Sequence, residues 1–313
     1  MRARVDIVEV GPRDGLQNEK TVLPTEVKVE LVRRALHAGI RRVEVTSFVH
    51  PRLVPQMADA EAVMAGVSAD GFLPEGVDRA DVTYIGLVLN PRGLERALAA
   101  GVDEVNVVVC ASETFSERNQ NVSVPRMLDA ADEIAARAAE AGVQRSVVIA
   151  TAFGCPFEGE VDPEAVFAIA DRCLRAGYTE VAVADTIGVG VPAQVRALAA
   201  GVRALPGGDG ARLRAHFHNT RNTGYANALT ALESGVTALD SSLGGIGGCP
   251  FAPNATGNIA TEDLDYLLQR SGYDTGLDLA ALAQTGTWIA GRLDITAPAL
   301  LGRAGPFPPA RSV

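Results

Sequence analysis

One short junction occurs five times along the chain and constrains its fold more than any other feature. Each copy has a small residue, a glycine and an apolar residue, then two variable residues and a β-rich run. The copies are Ala38-Gly39-Ile40, Ala100-Gly101-Val102, Ala141-Gly142-Val143, Ala176-Gly177-Tyr178 and Ser234-Gly235-Val236. Glycine just past a helix supplies the left-handed conformation that ends it, and a short continuous apolar run is typical of a parallel strand buried on both faces. The chain is therefore predicted to contain repeated helix–strand units.

Three further β-rich runs complete a set of eight predicted strands. These strands cover residues 5–10, 41–46, 82–89, 104–110, 145–151, 179–184, 212–218 and 236–240. Amphipathic or alanine-rich segments between them are predicted to be helices, for example 26–37, 125–141, 163–175, 192–204 and 223–233. Eight strands alternating with helices predict an α/β protein with a (β/α)8 barrel. A doubly wound open sheet is the alternative, but no G-x-G-x-x-G motif follows the first strand.

The composition sets the expected class of protein. We expect residues 1–313 to form a single barrel domain, with residues 261–313 as a C-terminal extension of extra helices and a tail. The net charge of −10 argues against nucleic acid as a partner. No apolar run approaches the roughly 20 residues that span a bilayer, so no membrane association is expected.

Four cysteines without paired or zinc-finger spacing favour a reducing compartment. We therefore expect a cytoplasmic protein. We also expect a homo-oligomer, with a dimer favoured.

Two histidines on the seventh predicted strand suggest a metal site. His216 and His218 are two residues apart, so a strand points both side chains to one face. Two neutral imidazoles on one face suit a divalent metal whose remaining ligands are carboxylate, amide or water oxygens. The alternative is one core and one surface histidine. The chain has only 4 histidines, which favours the metal site.

The ends of the first and eighth predicted strands carry further candidate residues, because a barrel enzyme places its active site at the C-terminal ends of the strands. Arg13 and Asp14 follow strand 1, and closure of the barrel brings them near strand 7. A simple turn is the alternative for Arg13-Asp14-Gly15. Cys249 lies in the glycine-rich loop after strand 8, where its thiol is predicted to be a nucleophile or proton donor on a closing loop, or else inert.

Six segments, in their order along the chain, closely resemble the 3-hydroxy-3-methylglutaryl-CoA lyase family, which belongs to a metal-dependent superfamily of (β/α)8 barrels. The segments are GPRDGLQNEK, VEVTSFVHP, FGCPFEG, ADTIGVG, HFH and GGIGGCPFAPNATGNIATED. The resemblance runs from about residue 5 to residue 268. The first and last segments are specific to lyases, whereas H-x-H and Arg-Asp also occur in isopropylmalate-synthase-like relatives.

The resemblance implies roles for individual residues. It implies one Mg²⁺ or Mn²⁺ held by four ligands, Asp14, His216, His218 and Asn258. Arg13 would neutralise charge on the thioester oxygen, and Cys249 would transfer a proton. Polar positions of the family's site match Gln17, Glu44 and Asp185. Apart from the family pattern, Lys20 and Asn18 are expected near the mouth from their position after strand 1, where they would meet the phosphates of an acyl-CoA substrate.

The implied reaction is a retro-Claisen cleavage of 3-hydroxy-3-methylglutaryl-CoA to acetyl-CoA and acetoacetate. His216 is the first choice of base for the C3 hydroxyl proton, and Asp14 is the second. One alternative is the same reaction on a related 3-hydroxy-3-alkylglutaryl-CoA or on citramalyl-CoA. More distant alternatives are a carbon–carbon-forming synthase and a non-catalytic metal-binding barrel.

The segment after His218 departs from the family pattern. Many members read H-x-H-D-T, whereas this chain has Asn219 in place of the aspartate and Arg221 two residues later. A changed charge beside the metal can alter ligand orientation, so we expect an altered acyl preference. The alternative is that Asn219 keeps the same role in the backbone turn, with no effect on selectivity.

Overall fold

A computed structural model of the chain describes residues 3–248, 256–305 and 307–308. Eight strands form a closed parallel barrel in chain order, and β8 pairs with β1. The strands are β1 (Asp6–Glu9), β2 (Arg42–Ser47), β3 (Thr83–Val88), β4 (Glu104–Cys110), β5 (Gln144–Ala150), β6 (Glu180–Asp185), β7 (Arg212–Phe217) and β8 (Ala238–Ser241). The (β/α)8 prediction is confirmed, and each predicted strand end lies within two residues of the observed one.

Helices follow the strands around the outside of the barrel. They are α1 (Thr25–His37), α2 (Ala60–Val67), α3 (Pro91–Ala99), α4 (Glu113–Gln120), α5 (Val124–Glu140), α6 (Pro163–Ala176), α7 (Pro192–Ala204) and α8 (Gly224–Glu233). The glycines of the five repeated junctions all adopt positive φ, between 71° and 101°. Because this conformation is disfavoured for residues with a Cβ atom, the repeat predicted the helix ends correctly.

The predicted C-terminal helices are also present, as α9 (Thr261–Arg270), α10 (Leu279–Leu293) and α11 (Leu301–Ala304). Backbone hydrogen bonds tie this region to the start of the chain, since Val5 donates to the Asp274 carbonyl at 3.0 Å and Asp274 donates to that of Ala3 at 2.9 Å. None of the helices in the described ranges has the length and apolar character required to cross a membrane.

The barrel interior carries many charged side chains. At the amino-terminal ends of the strands lies a group of ion-paired residues that we call the basal charge cluster: Asp6, Arg42, Glu104, Glu180 and Arg212. Arg42 NH2 lies 2.8 Å from Glu104 Oε2 and 3.1 Å from Glu180 Oε1. One step further up the barrel, the fully buried Arg214 places its Nε 2.9 Å from Glu180 Oε1. The interior is therefore filled in part by paired charges.

Candidate active site

A cavity of about 570 Å³ opens at the carboxyl-terminal ends of the strands. One part of its wall is polar and includes Arg13, Asp14, Gln17, His216 and His218. Another part is apolar and includes Leu87, Val108, Val148, Ala150 and Ala184. An apolar cavity with a few converging polar groups is the usual form of a small-molecule site.

Arg13 is fixed by two carboxylates. It lies in a short π-helical turn, Gly11–Gly15, that follows β1. Its Nε donates to Glu44 Oε2 at 2.6 Å, its NH1 donates to Asp14 Oδ1 at 2.7 Å, and Asn106 donates to the other Glu44 oxygen at 2.8 Å. Burial alone would lower the pKa of Arg13, but Glu44 and Asp14 outweigh it and raise that pKa. The guanidinium therefore stays charged at the cavity wall.

Asp14, His216 and His218 form the cluster that the sequence predicted. One potential ligand atom from each lies within 4.8 Å of the others, and His216 Nε2 is 4.0 Å from Asp14 Oδ2. Burial would raise the pKa of Asp14, but Arg13 and the histidines lower it to about 2. Burial, together with His216, lowers the pKa of His218 to about 3, so this imidazole is neutral. A carboxylate and neutral imidazoles are the protonation states that bind a metal ion.

The fourth predicted ligand, Asn258, joins the same cluster. Its Nδ2 donates to Asp14 Oδ2 at 2.8 Å and to the Ile246 carbonyl at 3.1 Å. The Asn258 Oδ1 and the His218 Nδ1 are buried and have no hydrogen-bond partner among the described residues. Unpaired buried polar atoms are costly, and a cation bound at the cluster would satisfy the amide oxygen. The four side chains therefore fit a divalent cation.

Asp240 lies behind His216 and was missed in the sequence analysis. Its Oδ2 is 3.2 Å from His216 Nδ1, and its Oδ1 accepts from Arg214 NH1 at 3.0 Å. Burial would lower the pKa of His216, but Asp240 and Asp14 outweigh it and raise that pKa. The contact depends on the register of β7 and β8, which pairs His216 with Asp240, and the sequence alone does not specify that register.

The remaining predicted residues fall in different places. Gln17 lines the cavity, and its buried Oε1 has no hydrogen-bond partner in the part of the chain that the structure describes. Lys20 is exposed and is not among the cavity-lining residues that the structure describes, whereas Asn18 is at the wall and donates to the Gly248 carbonyl at 3.2 Å. Cys249 lies outside the described residues.

The side chain of Asp185 forms hydrogen bonds within its own loop. Its two carboxylate oxygens accept the backbone N–H groups of Val189 and Gly190, each at 2.9 Å. Its neighbours Ala184 and Thr186 line the cavity, but Asp185 is not among the lining residues in the described ranges. Burial raises the pKa of Asp185. The geometry assigns it to shaping the loop between β6 and α7.

Asn219 and Arg221 also hold loops rather than line the cavity wall. Asn219 Oδ1 accepts the Gly224 N–H at 3.2 Å at the start of α8. Arg221 NH1 donates to the carbonyls of Ile187 and Gly188, at 3.2 and 3.0 Å. These contacts favour the alternative in which the segment keeps its turn and does not select the acyl group.

Two further buried carboxylates, Glu9 and Glu262, were not predicted from the sequence. Glu9 accepts hydrogen bonds from Gly11 N, Leu243 N and Thr261 Oγ1, at 2.8, 2.9 and 2.6 Å. Glu262 accepts from Gly244 N at 3.0 Å. Burial raises the pKa of Glu9 to about 7 and that of Glu262 to about 8. Glu9 therefore joins the backbone after β8 to the turn that carries Arg13, and Glu262 joins that backbone to α9.

The two other histidines are exposed. His37 is at the end of α1, and His50 is at the cavity wall after β2, with Asn90, Asn119 and Arg126 elsewhere on the same wall. His50 belongs to the segment VEVTSFVHP, whereas Asn90, Asn119 and Arg126 lie outside the six segments that resemble the family.

Comparisons with known proteins agree with this geometry. The model of the HMGL-like family matches residues 4–289. An (R)-citramalyl-CoA lyase of Chloroflexus aurantiacus is 44% identical over 306 residues, which cover 97% of this chain and 96% of the relative. A mitochondrial hydroxymethylglutaryl-CoA lyase of Gallus gallus is 41% identical over 292 residues, with coverage of 93% and 94%. The structure of an HMG-CoA lyase from Acinetobacter baumannii, in complex with coenzyme A and 3-methylmalate, superimposes with a TM-score of 0.90 at 36% identity, covering 99% of this chain and 98% of that one.

Proposed function

Since this chain belongs to the HMGL-like family and is a carbon–carbon lyase, we propose that it cleaves 3-hydroxy-3-methylglutaryl-CoA to acetyl-CoA and acetoacetate with the help of a divalent cation. The observation that carries the proposal is the convergence of Arg13, Asp14, His216 and His218 at one cavity wall. The cavity volume and its apolar wall suit the acyl end of a CoA thioester.

The cation would be held by Asp14, His216, His218 and Asn258. Two of these four donors are oxygens, which favours Mg²⁺ or Mn²⁺ over a structural zinc. When bound, the cation would polarise the hydroxyl and carboxylate oxygens of the substrate and lower the pKa of the hydroxyl.

Asp14 is the better candidate for accepting the C3 hydroxyl proton, although His216 was the first choice from the sequence. His216 Nδ1 already faces Asp240, so only its Nε2 is free, and one nitrogen cannot hold a cation and a proton together. A carboxylate has two oxygens, so Asp14 can bind the cation through one oxygen and accept the proton on the other. Its proximity to Arg13 and Asn258 keeps it ionised before the proton is transferred.

Arg13 stabilises the charge that develops when the C2–C3 bond breaks. The electron pair of that bond moves into the thioester, which becomes the enolate of acetyl-CoA. A guanidinium has five N–H donors, and the contacts with Glu44 and Asp14 use three, so donors remain for the thioester oxygen. One such donor is typically worth about 3–4 kcal/mol of transition-state stabilisation. Cys249 is proposed to return a proton to the enolate carbon, and this role depends on the sequence resemblance alone.

A second candidate substrate is citramalyl-CoA. The identity of 44% with an (R)-citramalyl-CoA lyase over nearly the whole chain favours it. The two substrates share the thioester, the hydroxyl and the methyl group. Citramalyl-CoA lacks one methylene before its free carboxylate, so its ketone product is pyruvate instead of acetoacetate.

The test is an assay of both thioesters with chelator-treated enzyme to which Mg²⁺ or Mn²⁺ is returned. We expect no release of acetyl-CoA without the cation and recovery with it, and the ketone product identifies the substrate. Cys249→Ala should lower kcat by about 10²–10⁴ while leaving metal affinity unchanged. Full activity of the metal-free enzyme would contradict the metal proposal, and pyruvate as the product would select the second candidate. Cleavage of neither thioester would contradict both.

A further inference from the structure

We propose that Asp240 and Arg214 are positioning residues that hold the His216 imidazole with its proton on Nδ1 and its Nε2 lone pair toward Asp14. This inference rests on the proposed cation site. It concerns a buried row of side chains, Arg214, Asp240 and His216, that links the interior of the barrel to that site.

The register of β7 and β8 creates the arrangement. Arg214 and His216 are two residues apart on β7, so both point into the barrel. His216 pairs with Asp240 on β8, and the Asp240 side chain contacts both β7 side chains. Its Oδ1 accepts from Arg214 NH1 at 3.0 Å, and its Oδ2 lies 3.2 Å from His216 Nδ1. One carboxylate therefore contacts both groups.

The chemistry of these groups selects one tautomer. A carboxylate only accepts hydrogen bonds, so the ring nitrogen that faces Asp240 must carry the hydrogen. In a neutral imidazole the other nitrogen then has a free lone pair, and in His216 this is the Nε2 that lies 4.0 Å from Asp14 Oδ2. Metal-binding histidines commonly have a carboxylate or carbonyl on the opposite ring nitrogen, and this contact sets both orientation and tautomer.

Arg214 fixes the position of Asp240 from the opposite side. Its side chain is fully buried, and its Nε lies 2.9 Å from Glu180 Oε1. Its NH2 lies 3.4 Å from Asn106 Oδ1 and 3.5 Å from Ser146 Oγ, on strands β4 and β5. Contacts with three other strands leave the guanidinium little freedom to move. Because Asp240 is itself only 3% exposed, its charge depends on this cation.

The second histidine of the site lacks such support. His218 Nδ1 is buried and has no partner among the described residues, although its ring centroid is 5.2 Å from that of His216. The two imidazoles are therefore unequal. His216 is oriented before any ligand binds, whereas the orientation of His218 is left to packing and to the cation.

The first experiment determines the tautomer directly in the wild-type protein. Only 4 histidines are present, so long-range ¹⁵N–¹H NMR of the metal-free enzyme at alkaline pH can resolve each ring, with His216→Gln used for assignment. We expect a proton on His216 Nδ1 and an unprotonated Nε2. A proton on Nε2 would overturn the proposal, and no folded variant of Asp240 is needed for this result.

The second experiment measures Mn²⁺ affinity by titration calorimetry or EPR. Asp240→Asn should mix the two tautomers of His216 and weaken Mn²⁺ binding by about 10–100-fold. Arg214→Met should act in the same direction, and Arg214→Lys, which keeps a cation beside Asp240, should recover part of the affinity. Asp6→Asn is the matched control, because Asp6 belongs to the basal charge cluster and contacts Arg42 and Arg212 but not Asp240.

The control separates positioning from general stability. Asp6→Asn should lower the unfolding midpoint without changing Mn²⁺ affinity or the tautomer. Wild-type Mn²⁺ affinity in folded Asp240→Asn would contradict the proposal. Neither readout needs a substrate, so failure of the enzyme to cleave either thioester would contradict the proposed function and leave this inference standing.

Discussion

At the amino-terminal end of the barrel interior, Arg42 lies among three carboxylates, whereas at the carboxyl-terminal end Arg13 lies between two carboxylates and a cavity. Arg42 forms ion pairs with Asp6, Glu104 and Glu180. At the other end, Gln17 Oε1 and Asn258 Oδ1 are buried without partners in the described residues. Paired charges hold strands together, and unpaired donor atoms beside a cavity are available to a ligand. The comparison suggests that one end serves stability and the other serves chemistry.

The largest expected effect is on stability, at the basal charge cluster. Arg42→Met leaves Glu104 and Glu180 buried without this cation, so the free energy of unfolding should fall by about 3–5 kcal/mol. Denaturant titration measures this, and Mn²⁺ affinity of the folded fraction should be unchanged. Arg42→Lys is the control and should lose less, because it keeps the charge without the forked geometry. A loss below about 1 kcal/mol would contradict the structural role of this end.

The second prediction concerns the cavity end, where a substitution should affect cation binding more than stability. Asp14→Asn should weaken Mn²⁺ binding by at least about 10–100-fold and lower kcat/KM at least as much, because it removes an anionic ligand. The free energy of unfolding should fall by at most about 2–3 kcal/mol, less than at Arg42, because the pKa of Asp14 is lowered from 3.8 to about 2 and Arg13 keeps its pairing with Glu44. Calorimetry and denaturant titration of the same samples check both parts. A large loss of stability with intact Mn²⁺ binding would mean that Asp14 stabilises the fold and does not bind the cation.

The third prediction concerns Glu262, whose buried carboxyl group accepts a hydrogen bond from the backbone N–H of Gly244. Burial raises the pKa of Glu262 from 4.5 to about 8, so between these pH values the folded protein holds a proton that the unfolded chain has lost. The free energy of unfolding should therefore fall as pH rises from 5 to 8, by at most about 1.4 kcal/mol per pH unit for this group. Glu262→Gln should flatten this slope in denaturant titrations at several pH values. An equal slope in both proteins would mean that Glu262 titrates at its ordinary pKa.

The smallest effect is expected after His218. Because Asn219 and Arg221 bond to loop backbone, Asn219→Asp combined with Arg221→Tyr should change the ratio of kcat/KM for 3-hydroxy-3-methylglutaryl-CoA and a bulkier 3-alkyl analogue by less than about tenfold, or 1.4 kcal/mol. Steady-state kinetics with the two thioesters measure the ratio. A larger change would restore the sequence-based hypothesis that this segment selects the acyl group.

Local sequence signals predicted the fold and much of the site. The junction glycines, such as Gly177 at the end of α6, mark helix ends through a backbone conformation that depends on few neighbours. Once eight strands alternate with helices, closure of the barrel brings strand ends 1, 7 and 8 together, so Asp14 and the two histidines could be assigned to one cluster although about 200 residues separate them. These predictions needed only the order of the elements and the alternation of side chains.

The tertiary structure alone decided which polar groups face each other. Asp240 contacts His216 because β8 pairs with β7 in one particular register, and a shift of one residue would point it away from the barrel interior. Asp185 matches a polar position of the family's site, and Lys20 was expected near the mouth. Both carboxylate oxygens of Asp185 instead accept backbone N–H groups, and Lys20 is exposed and is not among the described cavity-lining residues. Hydrogen-bond partners of this kind depend on atomic distances across elements. A single sequence specifies those distances only through the folded packing of the whole chain.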